Sequence, residues 1–442
     1  MNSLKQRYLH ILSLASPIIF GMLSINILDL VDTAMIGHLG DNALAGTGFA
    51  SFLYWCCFSG IVGFSGALQT LTARRLGENK LNECGFPLNA GLICVACYAI
   101  PLTLIMLAVS PYIFSFFSED NSVLSLANTY FRWRILGLIA IGFTLNFRGF
   151  WNGIKEPFTY TFILIGTHAL NIFLNWVLIF GKFGFSPLGV KGAAIGSTIA
   201  SFSGVFAFFI ITIKKKYPLG VLQSFPPLIV FKNLLRIGWP AAVDQLSFSA
   251  NLLCLFWVFG QLGTAELAVA HVVIVCVLII WLPGMGFGLT SLTLVSEALG
   301  KGLPKEAKQW AWRCIHLAAP LLFLTGLLSL PFSRSILGFF IHNPQTLEMA
   351  VFPLNIDQLT LWFACVGVIF IESLIGAGST LGILAIKTIT RWVIFIPGAY
   401  ITGVHLNFGI NGIWIFWATF NAFETLIFLV IWQREKWVGI QV

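Results

Sequence analysis

Charged residues are scarce in this sequence. Of its 442 residues only 10% are Asp, Glu, Lys or Arg, whereas 58% are hydrophobic. A soluble domain carries roughly 25% charged residues. A larger hydrophobic core does not account for the missing charged residues, because the surface of a soluble protein still grows with its size. The scarcity of charge therefore excludes a soluble globular protein and predicts a polytopic membrane protein.

Several motifs of soluble enzymes are absent. The sequence contains no G-x-x-x-x-G-K-[ST] run for ATP phosphates and no H-E-x-x-H run for zinc. Cys94 and Cys97 have no second cysteine pair that would complete a tetrahedral metal site. The net charge of +8 lies in short clusters between apolar runs, not on one solvated face as in nucleic-acid binding. We expect a protein that is not an enzyme and that needs no ATP, metal, cofactor or nucleic acid.

Long apolar runs take up most of the chain. A helix needs about 20 mostly apolar residues to cross a bilayer, and these runs are too long for the strands of a membrane barrel. Lys and Arg concentrate in alternate connections, which by the positive-inside rule places both termini in the cytoplasm. The sequence thus predicts an all-α polytopic membrane protein with twelve transmembrane helices, at roughly 10–36, 46–72, 86–110, 121–147, 157–180, 188–213, 233–259, 265–295, 311–333, 350–376, 381–404 and 410–432.

The two halves of the chain resemble each other at an offset of 223 residues. Pro17 aligns with Pro240, and GHLGDNALA at 37–45 aligns with GQLGTAELA at 260–268. Such matches in order along the chain indicate an internal duplication. Because each half holds six spans, both halves begin on the cytoplasmic side, which predicts two six-helix bundles related by a pseudo-twofold axis along the membrane normal. The predicted domains are a first bundle at 1–213, a cytoplasmic linker at 214–231 and a second bundle at 232–442.

Two carboxylates interrupt the first apolar run. Asp29 and Asp32 align with Leu252 and Leu255 of the second half, so a packing role common to both halves does not explain them. An acid at the centre of a membrane helix costs roughly 2.5–3.5 kcal/mol. Three positions apart, the two side chains share one helix face, where burial and mutual repulsion favour the protonated form. The pair predicts a proton-coupling site. The alternative is that one or both acids stay ionised in water at the outer end of the span.

A stripe of polar residues runs along the fifth span. Thr167, Asn171 and Asn175 recur every four residues on an otherwise apolar helix. Polar side chains in lipid are unfavourable unless they are paired, so the stripe should face the interior of the bundle. The alternative role for these residues is to hold helices together by hydrogen bonds, at about 0.6 kcal/mol each. Together with Asp32, the stripe predicts a polar cavity in the first bundle.

The chain resembles the MATE family of multidrug and toxic compound extrusion transporters, most closely its DinF-like branch. The resemblance lies in the proline of the first span, LVDTAMIGHLG at 30–40 and LNIFLNWVLIFG at 170–181, and it covers essentially the whole chain. It implies cation-coupled antiport: a proton or a sodium ion enters while an organic cation leaves.

The resemblance also implies roles for individual residues. Asp32 matches the essential aspartate of the first span in the family, and Pro17 is where that helix bends. Asn171 matches an asparagine of the fifth span, whereas Asn175 stands where the family has a second aspartate. This departure weakens a sodium site, because a hard cation binds less strongly to fewer charged ligands, and it leaves open whether Asp29 compensates.

Further polar residues are candidates for cavity, gating and interfacial positions. Ser197 and Thr198 in the sixth span are candidate cavity contacts, together with Thr167, and Glu372 is a candidate gating contact at the inner mouth. We interpret Asp244 and Asp357 as interfacial, and we expect Lys387 and Arg391 to extend toward the membrane surface.

The sequence therefore predicts a proton-coupled antiporter, with sodium as the less favoured ion. It would export lipophilic organic cations or other toxic compounds by alternating access. The alternative within the same superfold is a flippase of a lipid-linked precursor. The expected partners are amphiphilic small molecules and the bilayer lipids. The expected location of the protein, as a monomer, is the inner (plasma) membrane of a bacterium.

Overall fold

In a computed structural model the described residues, 4–115 and 120–440, are almost entirely helical. The α-helices are α1 Leu4–Gly37, α2 Asp41–Gly77, α3 Phe86–Ser115, α4 Asn121–Ile135, α5 Leu138–Gly153, α6 Pro157–Phe180, α7 Gly189–Lys216, α8 Leu228–Leu262, α9 Thr264–Gly300, α10 Pro304–Ser329, α11 Ser333–Gly338, α12 Pro344–Gly376, α13 Thr380–Ile389, α14 Ile396–Tyr400 and α15 Gly409–Gln433. Short 3₁₀ turns lie at Leu81–Glu83, Tyr217–Leu219, Leu330–Phe332 and Lys436–Gly439, and π-helical segments lie at Thr390–Phe395 and Ile401–His405.

Eleven helical stretches of the described chain are long and apolar enough to cross a bilayer. The twelfth span is made by α4 and α5 together, which occupy the remaining predicted position. The eleventh span combines α13 and α14 with the two π-helical segments. The number of spans predicted from the sequence is therefore confirmed.

The fourth span differs from the continuous helix predicted at 121–147. It breaks at Leu136 and Gly137, and its second part continues to Gly153. The amide of Gly137 donates to the carbonyl of Arg134 at 3.0 Å. A Cβ at Gly137 would lie 3.2 Å from that same oxygen and 3.4 Å from Thr198 Oγ1. A side chain at residue 137 would therefore need its neighbours to shift by a few tenths of an ångström.

The helix bounds follow the offset of the sequence repeat. Helix α9 begins and ends 223 residues after α2, and α12 ends 223 residues after α5. Gly40 and Gly263 precede α2 and α9, and their φ angles of 103° and 151° lie in the region that favours glycine. The repeated glycine therefore marks the same sharp turn in both halves.

The described chain divides by its contacts into one unit of residues 20–242 and another of residues 1–19 and 243–442. The division differs from the predicted domain limits, because the first turns of α1 belong with the C-terminal helices and the first turns of α8 with the N-terminal ones. Ile11, Leu14 and Ala15 of α1 are buried in the same apolar core as α9, α10 and α12.

Close helix packing shapes the unit of residues 20–242. Glycines of α7 face α6: a Cβ would lie 2.6 Å from the Leu178 carbonyl oxygen at Gly192, and 2.4 Å from Thr167 Oγ1 at Gly204. Small residues let two membrane helices approach until their backbones touch. Helix α7 therefore presses against the polar stripe of α6.

The unit of residues 1–19 and 243–442 packs around α12, which contacts α9, α10 and α15. Gly376 gives the close contact with α9, where a Cβ would lie 2.6 Å from the Leu292 carbonyl oxygen. At the other end of the chain, the stacked rings of Trp432 and Trp437, 4.1 Å apart, cover this core.

Candidate functional site

A carboxylate and two amides of neighbouring helices form one hydrogen-bonded chain. The Asn175 amide nitrogen donates to Asp32 Oδ1 and to Asn171 Oδ1, at 2.8 Å in each case. The hydroxyl of Ser197 on α7 donates to the same Asn171 oxygen at 3.5 Å. Asn175 has no solvent exposure and Asn171 only 5%, whereas Asp32 is half-buried. Four of the predicted site residues thus lie together.

Helices α1 and α6 are aligned by two side-chain contacts. Ser24 and the Nδ1 atom of His168 are 3.0 Å apart, and Asp32 meets Asn175 about two turns further along both helices. From the other side, α7 holds the Asn175 amide in place, because a Cβ at Gly196 would lie only 2.3 Å from Asn175 Oδ1. The position of the amide donor is therefore fixed by packing on two sides.

The other predicted residues lie outside this hydrogen-bonded chain. Asp29 is exposed, one turn before Asp32 on α1, close enough for the two carboxylates to repel each other. The Thr167 hydroxyl donates to the carbonyl of Ile163 in its own helix. The Thr198 hydroxyl donates to the Trp133 carbonyl at 3.0 Å, at the break between α4 and α5.

Two further predicted residues belong to the unit of residues 1–19 and 243–442. Pro17 lies inside α1, fifteen residues before Asp32, in the part of the helix that packs with the C-terminal helices. Glu372 is half-buried on α12, beside Gly288 of α9. Neither residue is part of the Asp32 cluster.

Sequence reasoning missed the basic member of this site. Arg134, at the end of α4, is half-buried and acts electrostatically on both Asp29 and Asp32. Its Nη1 donates to the Tyr54 hydroxyl at 3.3 Å, and its guanidinium carbon lies 4.5 Å from the centre of that ring. The available signal was its position, because Arg134 lies inside the predicted fourth span, 121–147, and not in a connection. The sequence did not show that α4 turns this side chain toward α1 and α2.

The surroundings of the Asp32 carboxyl are polar. One carboxylate oxygen of Asp32 accepts the hydrogen bond of the Asn175 amide, and Arg134 supplies a nearby positive charge. Among residues 4–115 and 120–440 there is no group of three or more His, Cys, Asp and Glu that would hold a metal ion. A carboxyl in these surroundings can carry either a negative charge or a proton.

The C-terminal helices contain a second group of charges at membrane depth. Lys387 of α13 bonds to Asp244 of α8, and Arg391 lies 3.6 Å from Asp244 and 3.9 Å from Glu424 of α15. Their side chains are between 10% and 16% exposed. Asp244 is therefore not merely interfacial, and the two basic side chains pair within the unit instead of extending to the membrane surface.

Asp357 is also buried, contrary to the interfacial position expected for it. It is 7% exposed and accepts a hydrogen bond of 2.7 Å from the indole nitrogen of Trp414. The donor lies on α15, so the pairing was not visible from the sequence of α12 alone.

Comparison with known proteins decides the family. The family profile described as MatE matches residues 17–177 and 240–401, one match in each half of the chain. The chain belongs to the MATE family of transporters. The resemblance inferred from its motifs is thereby confirmed. This MATE protein is a multi-pass membrane transporter of a family of multidrug efflux proteins.

Curated relatives carry matching descriptions. A probable multidrug resistance protein NorM of Thermotoga maritima is 24% identical over 418 residues, which are 92% of this chain and 88% of the relative. A probable multidrug resistance protein NorM of Brucella suis is 23% identical and covers 96% of this chain and 92% of the relative. Both relatives are named as multidrug resistance proteins.

Solved structures share the fold along nearly the whole chain. An outward-facing multidrug resistance MATE family transporter of the MOP superfamily aligns with a TM-score of 0.89 at 20% identity, over 97% of this chain and 95% of the other. The Vibrio cholerae MATE transporter VcmN in the bent form aligns with a TM-score of 0.87 at 18% identity, over 97% of both chains. The predicted fold of twelve helices in two bundles is thus confirmed.

Proposed function

We propose that this MATE transporter is a proton-coupled antiporter that exports lipophilic organic cations by alternating access. The observation that carries the proposal is the pairing of Asp32 with the buried Asn175 amide beside Arg134. Asp32 accepts a hydrogen bond from the Asn175 amide on one side and is half-buried, so its charge is sensitive to small changes in helix packing. The names of the NorM relatives support efflux of drugs as the task.

The proposed cycle uses the charge of Asp32 to choose between two shapes of the N-terminal helices. When Asp32 is ionised, it accepts the Asn175 hydrogen bond and attracts cations, including the organic substrate. When a proton neutralises Asp32, both attractions weaken and the substrate is released. Pro17 is the proposed flexure of α1, because proline lacks the backbone donor that would close the helix at that point. Proton binding favours one shape and substrate binding the other, so the exchange of the two ligands shifts the transporter between its two access states.

A proton fits this site better than sodium. Asn175 contributes a neutral amide where the family has a second carboxylate, and its nitrogen, not its oxygen, points at Asp32. A sodium ion is held by oxygen ligands, and fewer charged ligands hold it less strongly. Asp29 is exposed and lies one turn away, so it adds negative charge without completing a cage.

The proposal extends to the location and the substrates of the protein. We place the protein as a monomer in the inner (plasma) membrane of a bacterium, with both termini in the cytoplasm and amphiphilic small molecules as its substrates.

A flippase of a lipid-linked anionic precursor would need unpaired basic groups at membrane depth. Here Lys387 and Arg391 lie beside Asp244 and Glu424, which does not favour that function.

Transport by purified protein in liposomes tests the proposal. Proteoliposomes would be loaded with a fluorescent lipophilic cation such as ethidium, and proton and sodium gradients would be imposed separately. We expect an inward proton gradient to drive dye export in the absence of sodium, and an inward sodium gradient at equal pH to drive none. Export that follows the sodium gradient alone would refute proton coupling, and a dye flux insensitive to either gradient would refute antiport.

A further inference from the structure

A groove opens where the two ends of the chain meet α10. Its volume is about 920 Å³, and it lies between the first turns of α1, the first turns of α10 and the 3₁₀ turn after α15. All of its walls belong to the unit of residues 1–19 and 243–442. The residues used below are Leu4, Tyr8, Lys305, Lys308, Trp312 and Arg313.

The charges that line the groove are mainly positive. Lys308 pairs with Glu435 at 2.5 Å. Lys305 is exposed, and among the described residues it has no carboxylate within ion-pair distance. Arg313 donates from Nη2 to the neutral amide oxygen of Gln309 at 2.6 Å. Two positive charges of the groove thus remain without an ion-pair partner.

The guanidinium group of Arg313 can donate to a further hydrogen-bond acceptor. Its Nη1 is buried and has no hydrogen-bond acceptor in the described part of the chain. The guanidinium carbon lies 5.1 Å from the ring centre of Trp310, which fixes the side chain from one side. Both Arg7 and Glu306 are near enough to act on it electrostatically, and their opposite charges offset each other. Because the guanidinium lines the groove and has no ion-pair partner in the described chain, its positive charge would attract an anionic oxygen there.

Apolar surface continues from this basic group along α10. Leu317, Leu321, Leu324 and Leu328 follow Arg313 at intervals of three or four residues and therefore share its helix face. The last three are 44%, 52% and 62% exposed. At the groove itself Leu4 is 61% exposed, beside the rings of Tyr8 and Trp312. The basic groove matches the head group of an anionic lipid, and the leucine face of α10 matches an acyl chain.

We propose that this groove binds an anionic phospholipid, with the phosphate at Lys305 and Arg313 and an acyl chain along the leucine face of α10. The inference rests on the proposed orientation, with both termini in the cytoplasm, which puts the groove at the cytoplasmic leaflet. Basic pockets between transmembrane helices on that side are suited to anionic head groups. A soluble phosphate would use the two basic residues but would gain nothing from the leucines.

Lipid retention by the purified protein tests the proposal. Wild type would be incubated in detergent with equal amounts of phosphatidylglycerol and phosphatidylcholine, and the bound lipids would be counted by native mass spectrometry. Each basic residue near an anionic surface contributes a factor of about 5 in affinity, so two contribute about thirty-fold. We expect wild type to prefer phosphatidylglycerol by about that factor. Equal retention of the two lipids would overturn the proposal without any variant.

Two variants locate the preference. Lys305→Gln with Arg313→Gln should remove most of the thirty-fold preference, whereas the same loss of charge at the exposed Lys214 and Lys215 of α7 should leave it unchanged. Equal losses in both double variants would mean general charge attraction and would contradict a site.

The leucine face is tested separately. Leu321→Ser with Leu324→Ser should lower phosphatidylglycerol retention while Lys305 and Arg313 are intact. Added inorganic phosphate should not displace the lipid from wild type. Full displacement by phosphate, together with unchanged retention in the leucine variant, would identify a phosphate site and refute the lipid.

Discussion

The replacement Asn175→Leu removes the donor that faces Asp32. The Asn175 amide donates to Asp32 Oδ1 at 2.8 Å from a position with no solvent exposure. A hydrogen bond of this kind favours the ionised carboxylate over the neutral acid. Leucine has the same number and branching of side-chain heavy atoms and no donor, so the carboxyl of the variant should hold its proton more tightly. If the proposed proton coupling is correct, half-maximal transport should move to higher pH.

The size of the shift follows from the contact. A hydrogen bond to a charged group contributes about 1.5–3 kcal/mol, and about 1.4 kcal/mol corresponds to one pH unit. We therefore expect a shift of about one to two pH units. The Asn171 oxygen also loses a donor, but the Ser197 hydroxyl remains 3.5 Å from it. The structural damage should thus be smaller than the effect on Asp32.

Initial rates of organic-cation transport in proteoliposomes, measured at a series of fixed pH values, give the midpoint. The matched control is Asn26→Leu on α1, because the Asn26 amide donates only to the Met22 carbonyl of its own helix among the described residues. The control should keep the wild-type midpoint. A folded Asn175→Leu protein with an unchanged midpoint would refute the role assigned to this hydrogen bond.

Three other replacements test the surroundings of the site and the second charge cluster. Gly196→Ala places a Cβ 2.3 Å from Asn175 Oδ1, so it should displace the amide and reduce transport several-fold in a folded protein, measured by dye efflux. Arg134→Gln removes a positive charge near the carboxylates and should move the pH midpoint of transport upward. Lys387→Met removes the nearer basic partner of the half-buried Asp244 and leaves Arg391 3.6 Å away, so it should lower the free energy of unfolding by about 1.5–3 kcal/mol in a denaturant titration.

Each of these replacements has a control on a comparable helix position. Gly166→Ala on α6 adds a methyl group where nothing lies within 4 Å, so transport should persist. Arg132→Gln removes an exposed charge two residues from Arg134 and should leave the pH midpoint in place. Arg334→Ala breaks an exposed ion pair and should change the unfolding free energy by at most about 1 kcal/mol. A control that changes as much as its test variant would contradict the corresponding argument.

Hydropathy and charge were sufficient to predict the spans of this protein. Apolar runs of about 20 residues must be helical in lipid. The distribution of Lys and Arg indicates the orientation of successive spans. Twelve spans therefore follow from local sequence. The pairing of Asp32 with the stripe at Asn171 and Asn175 was also predictable. Polar groups in lipid need partners, and few are available in the N-terminal half.

Contacts between helices that are distant in sequence were harder to predict. Arg134 lies just before the turn at Gly137, where a Cβ would lie 3.4 Å from Thr198 Oγ1 of α7. The Arg134 guanidinium contacts Tyr54 of α2. The pairing of Lys387 with Asp244 depends on the contact between α13 and α8, which no periodicity of either helix indicates. In both cases the deciding interaction lies between helices, whereas the sequence pattern reports only which residues share one helix.

Proton release on substrate binding tests the central claim most directly. Purified protein in weakly buffered detergent solution would be mixed with ethidium while the pH is recorded. Under the proposed mechanism wild type releases protons as the cation binds, and Asp32→Asn releases none, whereas Asp41→Asn, at an exposed acid in the first turn of α2, behaves like wild type. Undiminished proton release from folded Asp32→Asn would contradict the assignment of Asp32 as the group that exchanges a proton for the substrate.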